Sequence, residues 1–174
     1  ILNMGAPDNA LTLDSSGNLG LGVKPSAWYS GYKAIETGSG SLVYPANATN
    51  TQLWNNLYVN ASGNTIYKTT GIGGLYSLGG GGYAHNWLIA PSGTAGNTAT
   101  LTQAMTLDNS GNLLVGTTSS TYSAGGRVAV EINGSTDSLF AVKAGGTSAG
   151  YLQGTSSQLA LFASGASTPL VFGT

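Results

Sequence analysis

The acid–base chemistry open to this 174-residue chain rests on six carboxyl groups, Asp8, Asp14, Glu36, Asp108, Glu131 and Asp137, and on one imidazole, His85. Cleavage of a glycosidic bond normally needs two carboxyl groups about 5 to 9.5 Å apart. Asp14 and Asp108 hold the same place in two copies of one turn sequence, which marks them as turn residues. Glu36 is the only acid between Ala27 and Gln103, so a second carboxylate would have to reach it from another chain or a distant segment. Serine hydrolysis fares no better, since His85 is the only imidazole that could serve as its base. A lone histidine in an aromatic strand is most often packed and hydrogen-bonded, although three copies around an axis would make a metal or anion site. Gly71-Ile72-Gly73-Gly74 and Gly79 to Gly82 match neither the dinucleotide fingerprint nor a phosphate loop. With no cysteine, thiolate metal sites and disulfides are excluded. The expectation is a protein without catalytic residues, cofactor or metal.

What remains is contact chemistry. Trp54, Tyr58, Tyr67, Tyr76, Tyr83 and Trp87, with Trp28, Tyr29 and Tyr32 nearby, offer aromatic faces for stacking on a sugar or a protein, with much contact area at little entropic cost. Trp54 and Trp87 are expected in the core, and Tyr58, Tyr67, Tyr76 and Tyr83 are the candidate ligand contacts. Five basic against six acidic residues leave no field to collect nucleic acid or an anionic membrane. No apolar run approaches the ~20 residues of a membrane-spanning helix. The sequons at Asn47, Asn60 and Asn133 are expected by chance in a chain so rich in Asn, Ser and Thr.

The elements that must position these residues follow from a duplication. Ala10-Leu11-Thr12-Leu13-Asp14-Ser15-Ser16-Gly17-Asn18-Leu19-Gly20-Leu21-Gly22 returns as Ala104-Met105-Thr106-Leu107-Asp108-Asn109-Ser110-Gly111-Asn112-Leu113-Leu114-Val115-Gly116. In each copy alternation, a Ser-Gly-Asn segment and renewed alternation read as strand, turn, strand, with Gly17 and Gly111 supplying a positive φ. Between the copies, Ala34 to Glu36 and Leu42 to Tyr44 read as strands. Leu57 to Asn60 and Thr65 to Thr69 flank a hairpin loop. Leu75 to Leu78 and Tyr83 to Ala90 form a pair joined by glycines, and Pro91 to Asn97 turns the chain back. Leu53 to Val59 fits either a strand or one helical face. Both faces of Tyr83 to Ala90 are apolar, so that strand is expected to be buried on both sides or packed against a neighbouring chain. Beyond Gly116, Val128 to Ile132, Leu139 to Lys143, Leu159 to Ala163 and Leu170 to Phe172 read as short strands at a spacing of about ten residues, as in a sandwich, barrel or β-solenoid. The chain is expected to be all-β.

The repeated Leu-Asp-x-Ser-Gly-Asn-Leu-x-(Leu/Val)-Gly pattern, with Trp87 to Asn97 before its second copy and Thr117-Thr118 after it, resembles the shaft and knob modules of bacteriophage tail fibres and tailspikes. The resemblance covers Trp54 to Thr118 and, more loosely, Ala10 to Val23. It implies strand for Leu53 to Val59 and an elongated, interleaved homotrimeric β-fibre whose shaft repeats carry a β-sandwich-like knob. The expected division is residues 1–26 as a first shaft repeat, 27–103 as an aromatic-rich knob, 104–118 as a second repeat and 119–174 as a distal shaft or tip. It further implies a virion component, outside the cell, that meets a host-surface glycan or protein and other tail proteins. The resemblance also implies a C-terminal chaperone module that directs trimer formation and can be cut off, and the stop at Gly173-Thr174, where another shaft repeat is expected, fits truncation there. The alternatives are a non-binding spacer of the fibre, a glycan-cleaving tailspike module and a bacterial surface filament or adhesin.

Overall fold

A computed structural model describes residues 10–45, 49–80, 82–120, 128–144 and 147–163, and every regular element among them is a strand. The first repeat forms the antiparallel hairpin of β1 (Leu11–Leu13) and β2 (Leu19–Leu21), with Leu13 opposite Leu19. Gly17 turns it at φ 82°, a conformation that a Cβ would strain. The chain then crosses over and returns as β3 (Tyr32–Thr37), parallel to β2, before turning back through β4 (Gly40–Pro45) and β5 (Thr51–Asn55).

At Asn56 the chain leaves this sheet with φ 58°. The Asn56 amide accepts from Thr69 N and Oγ1 and donates to the carbonyls of Thr69 and Ile72, which holds a non-glycine residue in the left-handed region. The stretch with two possible readings is therefore two strands with a corner between them. The hairpin of β6 (Leu57–Val59) and β7 (Thr65–Tyr67) stands apart as its own small sheet, and β8 (Gly71–Leu78) rejoins the large one beside β5. The long strand β9 (Tyr83–Gly93) continues through Pro91, where a turn was expected. Pro91 lies where the ladder slips register between Gly71 and Gly73, a bulge of the kind that tolerates a residue without an N–H.

The second repeat supplies β10 (Thr102–Asp108) and β11 (Leu113–Val115), followed by β12 (Val130–Ile132), parallel to β11 as β3 is to β2. The resulting sheet has ten strands in the order β1-β2-β3-β4-β5-β8-β9-β10-β11-β12. It runs through both expected shaft–knob boundaries, 26/27 and 103/104, and the second of these falls inside β10. A separate antiparallel meander consists of β13 (Asp137–Ala144), β14 (Thr147–Thr155) and β15 (Leu159–Ala163). The strand expected at Leu170 to Phe172 lies outside the described residues.

One face of the large sheet is closed by the β6–β7 hairpin and Trp28. Leu57, Val59 and Tyr67 from the hairpin pack with Ala34, Val43, Trp54, Leu75 and Ala90 from the sheet. Trp28 meets Trp54 edge-on at 5.7 Å and Tyr58 at 6.1 Å, geometries that aromatic pairs favour.

The other face is open. On it, register aligns Leu13, Leu19, Ile35, Leu42, Leu53, Tyr76, Trp87, Met105, Val115 and Ile132 in one row across all ten strands. Leu53 is 55% exposed and Leu13 72%. Trp87, expected in the core, is a member of this row and does not belong to the buried cluster.

Candidate functional site

The most elaborate polar arrangement lies under the β6–β7 hairpin. Period two along β3 sends Glu36 to the closed face beside Ala34, where the side chain is 3% exposed. Its Oε2 accepts from Ser26 N and Trp28 Nε1, and its Oε1 from Ser26 Oγ and from Lys68 Nζ at 2.7 Å. Lys68, the residue after β7, also donates to Ser41 Oγ and stands 5.4 Å from the centroid of the Trp28 ring. Burial alone would raise the Glu36 carboxyl, but donors from Lys68, Ser26 and Trp28 outweigh it and hold the group below its ordinary range. Burial also lowers Lys68, and the single carboxylate contact does not fully restore it. The two shifts agree in their origin, since the carboxylate collects four donors while the ammonium has one anionic partner. Both oxygens of Glu36 are thus committed. A catalytic acid needs a proton it can give up near neutral pH, and this carboxylate is held ionised and saturated.

The duplicated turns repeat atom for atom. Asp14 Oδ1 accepts from the N–H groups of Ser16 and Asn18, and Oδ2 from Asn18 Nδ2; Asp108 does the same with Ser110 and Asn112. Hydrogen bonds from the Asn112 side chain and turn amides keep the Asp108 carboxyl low; at Asp14 burial is the largest single influence and raises the carboxyl, and the bonds from Asn18, Ser16 and Gly17 together outweigh it. Each asparagine is buried, and its Oδ1 accepts from the backbone of the returning parallel strand, Ala34 N in one copy and Ala129 N in the other. The duplication therefore extends beyond the hairpin. Glu36 pairs with Gly20 as Glu131 pairs with Leu114, and Ser120 donates to Glu131 as Ser26 donates to Glu36. Both serines stand four residues after the glycine that ends their repeat, Gly22 and Gly116. That spacing is the signal the sequence carries, and it is faint because the residues between glycine and serine differ in the two copies.

The candidate contact tyrosines scatter. Tyr67 is 4% exposed, with its hydroxyl donating to Pro91 O, so its ring offers no face to a ligand. Tyr58 is half-buried against Trp28. Tyr76 lies in the open row, its hydroxyl 2.6 Å from His85 Nδ1 and its ring 5.2 Å from Trp87; His85 in turn stacks on Trp87 at 15°. Tyr83, at the start of β9, is half-buried and its hydroxyl reaches Thr118 O at 3.4 Å. The structure brings together Tyr76, His85 and Trp87 and leaves Tyr58 and Tyr67 on the closed side. Among the described residues no three acidic or histidine side chains gather as a metal site would require. No family model, curated protein or solved structure matches the chain.

Proposed function

We propose that the chain is a structural and adhesive module of a bacteriophage tail fibre that works as a homotrimer outside the cell and meets a host-surface glycan or protein. One observation carries the structural half of this reading. A duplicated hairpin-and-strand unit is laid into a ten-stranded sheet whose open face bears an unbroken apolar row. Such a construction supplies shape and contact area. The tail-fibre assignment itself rests on the resemblance of the repeated turn sequence to shaft modules. No catalytic step is part of the reading, because Glu36, the acid nearest the aromatic rings, is saturated by its donors.

Adhesion would come from shallow contacts repeated on each copy, where multivalency lets weak single sites add up. Tyr83 and Tyr58, half-buried rather than enclosed, are the residues to test. The assay is binding of the purified chain to immobilised bacterial surface polysaccharides and to whole cells, with Tyr83→Ala and Tyr58→Ala compared at equal oligomer mass. Weakened binding by either variant supports adhesion. A second reading, a spacer that binds nothing, draws on the enclosure of Tyr67, and absence of binding by the parent chain would establish it, whereas unchanged binding by both variants would place the contact on other residues.

A further inference from the structure

We infer that the open face of the ten-stranded sheet is covered by the same faces of the other copies of this chain, turned together towards a common axis, with Leu53, Tyr76 and Trp87 at the centre of the contact. This rests on the self-assembling reading above and deepens it by naming the surface. Nine strand-to-strand steps of about 4.8 Å make the apolar row about 43 Å long, and rows lie about 7 Å apart along each strand. With flanking residues such as Leu78, Ile89 and Leu113, the face amounts to roughly 700 Å², near the ~800 Å² each partner contributes to a standard stable interface. It also exceeds the few hundred Å² of contiguous apolar surface that a soluble monomer ordinarily shows. Ile35 and Leu42 are each 42% exposed and Ile89 is 56% exposed, so the row is open along its middle strands as well as at its edges.

Charge and shape select the occupant. Within the row and the flanking pairs Lys33–Tyr44 and Leu78–His85, the basic side chains are Lys33 and His85 and there is no acid. Lys33 is turned to Ser16 O, and His85 is bonded to Tyr76. A partner recognised through salt bridges would find little to hold, whereas an identical face is as uncharged as this one. A sheet that twists by about 20° per strand turns its face through roughly 180° over nine steps, so a flat lipid surface meets only a few strands at once. A sheet of the same twist can follow it, because stacked sheets align at about −30° with interdigitated side chains.

The chain contains no cysteine, so a single introduced thiol reports one position. The experiment compares the full chain carrying Leu53→Cys with the full chain carrying Ala61→Cys, the latter in the exposed β6–β7 turn. The native mass of each is measured, together with its rate of reaction with a maleimide under native conditions. The expected result is an oligomer of whole-number mass in which Leu53→Cys reacts at least about ten-fold more slowly than Ala61→Cys, since the covered site must open before it reacts. Two results would overturn the inference in different ways. An oligomer in which both thiols react alike means that another surface assembles the chain, and the fibre reading survives. A monomer at micromolar concentration removes both.

Discussion

Replacing Lys68 by methionine tests the core directly, because it keeps most of the side-chain volume and removes only the ammonium. In the native fold that ammonium is 2.7 Å from Glu36 Oε1, on a side chain 8% exposed facing one 3% exposed. Breaking a buried ion pair from one side costs about 3 to 5 kcal/mol, mostly because a charge is left uncompensated. Glu36 would keep the Ser26 N, Ser26 Oγ and Trp28 Nε1 donors, which places Lys68→Met near the lower end, at about 3 kcal/mol. With a urea m-value of about 2 kcal/mol/M, the unfolding midpoint falls by about 1.5 M. Parent and variant are compared at one protein concentration, since assembly shifts apparent stability by mass action.

The pH dependence gives that prediction a second handle. Glu36 titrates below its ordinary 4.5 in the folded chain, so its contribution is fully present above the unfolded value and is lost as pH falls through the folded one. In Lys68→Met the strongest donor is gone and burial is less opposed, which raises the Glu36 carboxyl. The variant protonates first, and its deficit relative to the parent shrinks as pH drops from 7 towards 4. The Glu36→Gln/Lys68→Met double variant should cost less than the sum of the single changes by about 1 to 3 kcal/mol, because the two residues share one interaction. A deficit under about 1 kcal/mol at pH 7 would refute the buried pair, that being the range of exposed ion pairs. A deficit independent of pH would refute the charge argument.

The remaining predictions use the duplication and the close contacts. Asn18→Ala and Asn112→Ala each remove the acceptor of a backbone N–H, from Ala34 and Ala129 respectively; each should lower unfolding free energy by about 1 to 3 kcal/mol. The two losses should be alike, and calorimetry showing one of them negligible would break the equivalence of the copies. A Cβ at Gly73 would come within 2.7 Å of Leu57 Cγ, and Leu57 is fully buried. Gly73→Ala should therefore cost about 1 to 3 kcal/mol by overpacking, while Gly154→Ala, which meets nothing within 4 Å, should unfold at the parental midpoint. Asp14 and Asp108 are both held below 3.8 by their turns, so both contribute stability above that pH that is lost as pH falls through their folded values. Asp14→Asn/Asp108→Asn should accordingly flatten the acid limb of the stability–pH curve.

Local signals were legible and non-local ones were not. The two repeated turns, the β6–β7 hairpin and the β8–β9 pair were visible because alternation and turn residues sit within a few positions of each other. The parallel returns of β3 beside β2 and β12 beside β11 leave no such mark. They depend on Asn18 and Asn112, which read as turn residues yet spend their Oδ1 on a strand that arrives more than ten residues later. Strand β14 was missed because Gly150, Gly154 and its Thr and Ser residues resemble a linker, and its place is fixed by the apolar pairs Phe140–Leu152 and Leu152–Leu161 on either side. The ion pair was half-visible: Glu36 stood out as the lone acid of its stretch, but nothing near it in sequence points to Lys68.

The open row, by contrast, did leave a trace in single strands. A strand with one solvated face needs one large apolar residue in every two positions. Here Leu42-Val43, Leu53-Trp54, Leu75-Tyr76 and Trp87-Leu88 stand side by side in β4, β5, β8 and β9. In each doublet one member packs in or against the closed core, as Val43, Trp54, Leu75 and Leu88 do. The other member, Leu42, Leu53, Tyr76 or Trp87, joins the row on the opposite face. One doublet would be unremarkable, since lone exposed apolar residues are common. Four in four neighbouring strands, brought into one register, leave a second apolar face that the β6–β7 hairpin cannot reach, and leaving such a face in water forgoes about 25 cal/mol for each Å² that a partner could cover.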